Sequence, residues 1–142
     1  MIIIDCIFCK IITGDIPSNK IYEDENFLGF LDINPAGTLN GHSMLITKKH
    51  FPNKLEEMDD KLIKDFFVVL KKIISAIKKV SGTDSINIIQ NSGEKAGQII
   101  DHIHFHIIPR EEGDGIIISE NRQHKKDNLK EVAEKIRNSV EN

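Results

Sequence analysis

The sequence predicts an α+β domain: an antiparallel sheet of about five strands with one long and one short helix. Two observations predict it. Five short segments rich in β-branched and aromatic residues are separated by polar, turn-forming stretches. A single long segment carries apolar residues at helical spacing, and strands and helices do not alternate as a βαβ repeat would require.

Taken in order, Cys6 to Thr13 is short, apolar-rich and closed by Gly14 and Pro17, which predicts a brief helix and a turn. Lys20 to Tyr22 and Phe27 to Leu31 read as strands flanking the acidic turn Glu23-Asp24-Glu25-Asn26. Asn34-Pro35 and Gly37 punctuate a loop before a strand from Ser43 to Thr47. The long helix starts near Asp59 or Asp60 and runs to about Ser81. Leu62, Ile63, Phe66, Val69, Leu70, Ile73, Ile77 and Val80 make its buried face, and Gly82 stops it. Its lysines form a solvated face whose cations suit the negative end of the helix dipole, not a nucleic-acid patch. Ile86 to Gln90 and His102 to Ile108 are strands joined by a glycine-bearing loop, and Arg110 to Gly115 is a turn-rich exit. Leu129, Val132, Ala133, Ile136 and Val140 mark a weaker amphipathic helix. With no repeat, linker or low-complexity tract, residues 1–115 are expected to form one domain, with a tail, 116–142, that belongs to it.

Bulk properties exclude several classes. The 142 residues are 39% hydrophobic and 29% charged, an ordinary globular balance that argues against disorder. A net charge of −3 gives no long-range attraction to nucleic acid or an anionic membrane. No apolar run approaches the length of a membrane span, and no secretion pattern follows the apolar start, so a cytoplasmic location is expected. Two cysteines, Cys6 and Cys9, are too few for a disulfide framework and read as thiols: redox pair, metal ligands or plain core.

The chemistry concentrates in His102-Ile103-His104-Phe105-His106-Ile107. Alternation on a strand puts three imidazoles on one face, spaced about 7 Å apart, and three apolar residues on the other. Aliphatic residues would stabilise a core face better, so the row is functional. Two chemistries fit: three nitrogen ligands sharing one metal with an open position, or one nucleophilic imidazole whose neighbours position phosphate and protonate a leaving group. Upstream, Asn91-Ser92-Gly93-Glu94-Lys95-Ala96-Gly97-Gln98 runs into the row and can offer amides and backbone N–H groups to phosphate oxygens.

With these residues in view, the sequence resembles the histidine-triad (HIT) nucleotide-binding family, and within it the phosphoramidase branch. The match runs through His102-Ile-His104-Phe-His106-Ile-Ile-Pro109-Arg110, Asn91…Gly93…Gly97-Gln98 and Gly41-His42-Ser-Met-Leu-Ile-Thr-Lys-Lys-His50. It continues through Cys6-Ile-Phe-Cys9-Lys-Ile-Ile-x-Gly14-Asp15-Ile-Pro17 and Phe30-Leu-Asp32-Ile. Several independent motifs in the family's order make it specific.

The resemblance implies roles residue by residue. His104 matches the nucleophile that forms a covalent nucleotidyl-histidine, and His106 the residue contacting the transferred phosphate and leaving group. Asn91, Gly97 and Gln98 fall in the phosphate-binding loop, with the Asn91 and Gln98 amides as ligands of phosphate oxygens. Asp32 matches an acceptor of ribose hydroxyls. Phe8, Phe30 and Ile33 fall where the family forms an apolar slot for the base; their residue types alone would make them core. His42 matches a buried histidine that orients the triad. A zinc-carrying branch implies Cys6, Cys9, His50 and His102 as ligands of a closed, structural zinc, the alternative being packed thiols. The implied assembly is a symmetric homodimer. Ile99 departs from the family by replacing a hydroxyl residue that reaches the leaving group, and Thr47 stands where proline is common.

The implied activity is hydrolysis of phosphorus–nitrogen or phosphoanhydride bonds in nucleoside monophosphate derivatives, releasing AMP, with no catalytic metal. A dinucleoside polyphosphate hydrolase is the alternative within the family. Outside it stand a metal enzyme using all three row histidines and a nucleotide-binding scaffold with incidental catalysis. His124 lies outside every motif and reads as a solvated loop residue.

Overall fold

The computed structural model describes residues 5–52, 54–117 and 128–140. In chain order the elements are α1 (Ile7–Thr13), β1 (Lys20–Glu23), β2 (Phe27–Leu31), β3 (Ser43–Thr47), α2 (Asp60–Ser81), β4 (Ile86–Ile89), β5 (His104–Pro109) and α3 (Leu129–Ser139). Short 3₁₀ turns at Leu55–Glu57 and Glu94–Ala96 had no counterpart in the sequence reading. His124 lies outside the described residues.

The five strands form one antiparallel sheet, as expected, and their order is β1-β2-β3-β5-β4. Every residue of the central strand β3 is buried, because both faces of the sheet are covered there. On one face, Leu45, Phe27, Phe105 and Ile107 pack against Phe66, Val69, Leu70, Ile73 and Ile77 of α2. On the other, Met44, Ile46, Leu28 and Phe30 pack against Phe8, Cys9 and Ile11 of α1. Period-two alternation along each strand sends adjacent residues to opposite cores.

Local chemistry sets the helix ends. Asp59 caps α2 by accepting the Leu62 N–H at 2.9 Å, and Gly82 ends it in the left-handed conformation at φ 76°. Gly29 sits beneath α2, where an added Cβ would lie 3.3 Å from both Ile21 Cγ1 and Ile73 Cδ1. One expected core position fails: Val80, in the last turn of α2, is 81% exposed among the described residues. The apolar residues of α3, Leu129, Val132 and Ile136, are likewise exposed. Among the described residues no helix is long and apolar enough to cross a membrane.

The expected strand from His102 to Ile108 begins two residues later, at His104. His102 lies in a bend, its N–H bonded to the Ile100 carbonyl at 2.9 Å, and the Ile103 N–H bonds Phe51 at 2.7 Å instead of a strand partner. The bend carries the His102 side chain into a group of its own.

Candidate nucleotide site and cysteine–histidine cluster

Strand pairing builds the candidate site. Ile46 lies opposite His104 and Met44 opposite His106, so both imidazoles emerge on the α1 side of the sheet. Their ring centroids are 5.1 Å apart, and the Phe8 ring of α1 meets His104 edge-on at 5.1 Å. A pocket of about 340 Å³ opens over them, lined by Phe8, Phe30, Asp32, Ile33, Gly97, His104 and His106 among others. Ile33 is 82% exposed at its rim, whereas Phe8 and Phe30 are buried and edge-packed on each other at 5.7 Å.

Backbone groups assign the ring protons. His104 Nδ1 lies 2.7 Å from the His102 carbonyl, which only accepts, so Nδ1 carries the proton and Nε2 keeps its lone pair. His42 Nδ1 accepts the Ala36 N–H at 2.8 Å, so in the neutral ring the proton is on Nε2. That Nε2–H points at His106 Nδ1, 3.0 Å away, which leaves the proton of a neutral His106 on its own Nε2. Burial pushes the pKa of His42 and His104 below the ordinary imidazole value, with the Asp32 charge opposing it in both. His106 is held down to about 4 by burial first, then by His104 and His42, again against Asp32. Near neutral pH one ring offers an electron pair, as nucleophilic displacement requires, beside a second ring that carries its proton on Nε2.

The second constellation is Cys6, Cys9, His50 and His102, whose donor atoms all lie within 4.8 Å of one another. His102 Nε2 donates to the Thr47 carbonyl at 2.7 Å, so Nδ1 turns its lone pair toward Cys6 Sγ at 3.4 Å and Cys9 Sγ at 3.7 Å. His50 Nδ1 lies 3.4 Å from Cys9 Sγ. Burial holds His102 at about 4, keeping it neutral as a ligand must be. In a tetrahedral zinc site the sulfur–nitrogen edge is roughly 3.5 Å, given the usual Zn–S and Zn–N bond lengths. Two thiols, two imidazoles and these separations therefore fit a zinc ion.

Asp32, His42 and His106 also cluster, but the Ala36 N–H holds the His42 proton on the nitrogen a metal would need. The three row histidines do not converge either. His102 belongs to the cysteine cluster, and neither grouping includes His104. This geometry disfavours one metal held by all three.

Other sequence-singled residues are placed differently. Gln98 uses its carboxamide to tie its loop to the segment after β3: Oε1 accepts the Gly93 N–H at 2.7 Å, and Nε2 donates to Pro52 and Ile100 carbonyls at 3.0 and 2.9 Å. Neither Gln98 nor Asn91 lines the histidine pocket. Gly97, at φ 90°, lets the loop turn back beside that pocket. Arg110 forks onto Asp114 at 2.6 and 2.9 Å and bonds the Ile116 carbonyl, so its role here is to close the exit loop. Sequence reasoning assigned no site role to Ile16, Met44 or Ile100, which also line the pocket. It also missed the Ala36 N–H and the Thr47 carbonyl, because backbone groups leave no mark in a sequence.

Comparison with known proteins places these features in context. A model of the HIT domain family matches residues 13–113. The chain is 45% identical over 105 residues to the adenosine 5'-monophosphoramidase of Schizosaccharomyces pombe, covering 74% of each. The crystal structure of a HIT family member from Bacillus subtilis superposes with a TM-score of 0.86 at 41% identity, covering 97% of this chain and 99% of that one. A Zn-bound histidine triad family protein from Mycobacterium smegmatis superposes with a TM-score of 0.71 at 37% identity, covering 84% of each.

Proposed function

The chain belongs to the HIT domain family, and from that premise we propose that it is a nucleotide hydrolase that splits nucleoside phosphoramidates through a nucleotidyl-His104 intermediate. The carrying observation is the His104 tautomer. The His102 carbonyl takes the Nδ1 proton, so Nε2 offers its lone pair inside a pocket with apolar walls and one carboxylate. The matching relative named adenosine 5'-monophosphoramidase supports adenosine and a phosphorus–nitrogen bond.

On this reading, Phe8, Phe30 and Ile33 take the base and Asp32 the ribose hydroxyls. Asn91, Gly97 and Gln98 supply N–H donors to the phosphate, Gln98 by exchanging its two carbonyl partners for phosphate oxygens. His104 Nε2 attacks the α-phosphorus in line, the phosphorus–nitrogen bond breaks toward nitrogen, and a proton from His106 Nε2 completes the amine. Loop N–H groups stabilise the phosphoryl charge. Water then cleaves the phosphorus–His104 bond and releases AMP. Cys6, Cys9, His50 and His102 would hold zinc as a structural tie between α1, the segment after β3 and the bend before β5. The family resemblance adds the homodimer to the proposal, and two thiols suited to a reducing compartment add the cytoplasm.

The test is AMP release from an adenosine phosphoramidate by the purified protein, beside His104→Ala. Turnover lost in a variant that still binds AMP supports the assignment. A folded, AMP-binding wild type without turnover overturns it in favour of a scaffold or of a polyphosphate substrate.

A further inference from the structure

Resting on the reading of His106 as proton donor, the positions of Asp32, His42 and His106 carry one more step. We propose that Asp32, beyond any contact with a ribose, is the positioning residue that accepts a hydrogen bond from the extra N–H when the His42–His106 pair becomes cationic.

Asp32, His42 and His106 form a half-buried junction. Three atoms meet there: His42 Nε2 and His106 Nδ1 at 3.0 Å, and Asp32 Oδ2 at 3.4 Å from the first and 3.9 Å from the second. In the neutral pair one hydrogen lies between the rings, donated by His42, because Ala36 holds the opposite nitrogen of that ring as an acceptor. A neutral His106 that lost its Nε2 proton would become an imidazolate, and the charged groups that face it among the described residues include no cation to compensate. It must therefore donate as an imidazolium. The imidazolium carries a second hydrogen on Nδ1, now facing the His42 Nε2–H. Two donors then point at each other, and the acceptor available among the described residues is Asp32 Oδ2.

Asp32 is built for this. Its Oδ1 accepts the Asn34 N–H at 2.8 Å, which fixes the carboxylate and leaves Oδ2 turned to the rings. Its side chain is 15% exposed, where a charge acts at short range with little screening. The charged or titratable groups facing His106 are Asp32 after β2, His42 before β3 and His104 on β5; Asp32 is the anion among them. Because a carboxylate offers several lone pairs, a ribose hydroxyl and a ring N–H can share it. After His106 gives its Nε2 proton to the leaving nitrogen, both rings are neutral, the Nδ1–H stays with Asp32 Oδ2, and the bare Nε2 can take a proton from the attacking water.

The test separates this role from ribose binding in two ways. Histidine ring NMR of Asp32→Asn without ligand reads the junction directly. At pH about 4, His106 in the wild type is near half-charged; in D32N the midpoint moves down by about one pH unit, leaving roughly a tenth charged. Turnover of a 2′,3′-dideoxyadenosine phosphoramidate, which has no hydroxyls for Asp32 to hold, falls about tenfold in kcat at pH 7 in D32N. Asp32→Glu recovers part of that loss. An unchanged His106 midpoint in D32N, or a dideoxy substrate turned over equally by D32N and wild type, overturns the inference. A wild type that turns over neither substrate overturns the hydrolase reading instead, and the NMR midpoint then decides the inference alone.

Discussion

His104 is oriented by the main chain of His102: its Nδ1 lies 2.7 Å from the His102 carbonyl, while the His102 side chain faces Cys6 and Cys9. One residue thus joins the cysteine–histidine cluster to the proposed nucleophile, through a carbonyl on one side and an imidazole on the other.

Loss of the cluster should be felt first in stability. The purified protein should carry one zinc per chain by elemental analysis, and Cys6→Ser or His50→Ala should lose it and melt at a lower temperature. Activity should fall in the same variants through the loosened His102 carbonyl. A metal-free wild type whose melting is unchanged by these substitutions would mean packed thiols.

Acid should weaken the fold ahead of ordinary carboxylate titration. His106 has a folded pKa near 4, and burial also holds His42 below the 6.5 of an unperturbed imidazole, so the unfolded chain binds more protons below that value. Stability from keeping these rings neutral is complete above about pH 6.5 and is lost as pH falls toward 4. Thermal melts from pH 7.5 to 4.5 should decline across that window, and a flat profile would contradict the burial of these rings in neutral form.

Gln98 should act as a latch on the glycine loop. Gln98→Glu replaces the Nε2 donor with an oxygen beside the Pro52 and Ile100 carbonyls, at a cost of about 1–3 kcal/mol. The melting temperature should drop, and proteolysis within residues 93–97 should accelerate. Equal melting and cleavage would show that the loop closes without it.

Phe66→Ala tests the core beneath the histidine strand. Phe66 is 1% exposed, between Phe27 at 5.4 Å and Phe105 at 4.8 Å, so truncation should cost about 3–5 kcal/mol in denaturant unfolding. A loss under about 1 kcal/mol would place the main core elsewhere.

What was legible in the sequence was mostly local. Asp59 and Gly82 marked the ends of α2, and alternation in Phe105 and Ile107 marked the core face of β5. The histidine row was conspicuous because three polar rings in strict alternation are poor core. The long-range placements came through family resemblance, not pattern: Cys6 lies 96 residues from His102, and nothing local brings them together. The bend at His102 was missed because strand periodicity continues through it, although the Ile103 N–H turns to Phe51. Asp32 at the imidazole junction and Gln98 between its loop and the segment after β3 were equally hidden, since both depend on which partner lies nearest in space.

The nucleophile itself is tested most directly by rapid acid or base quench of a single turnover with an adenosine phosphoramidate, followed by intact and tandem mass spectrometry. An adenylyl group on His104, formed before AMP appears and lost as AMP accumulates, is the expected result; AMP release at full rate with no protein adduct, or with the adduct on another residue, would contradict nucleophilic attack by His104.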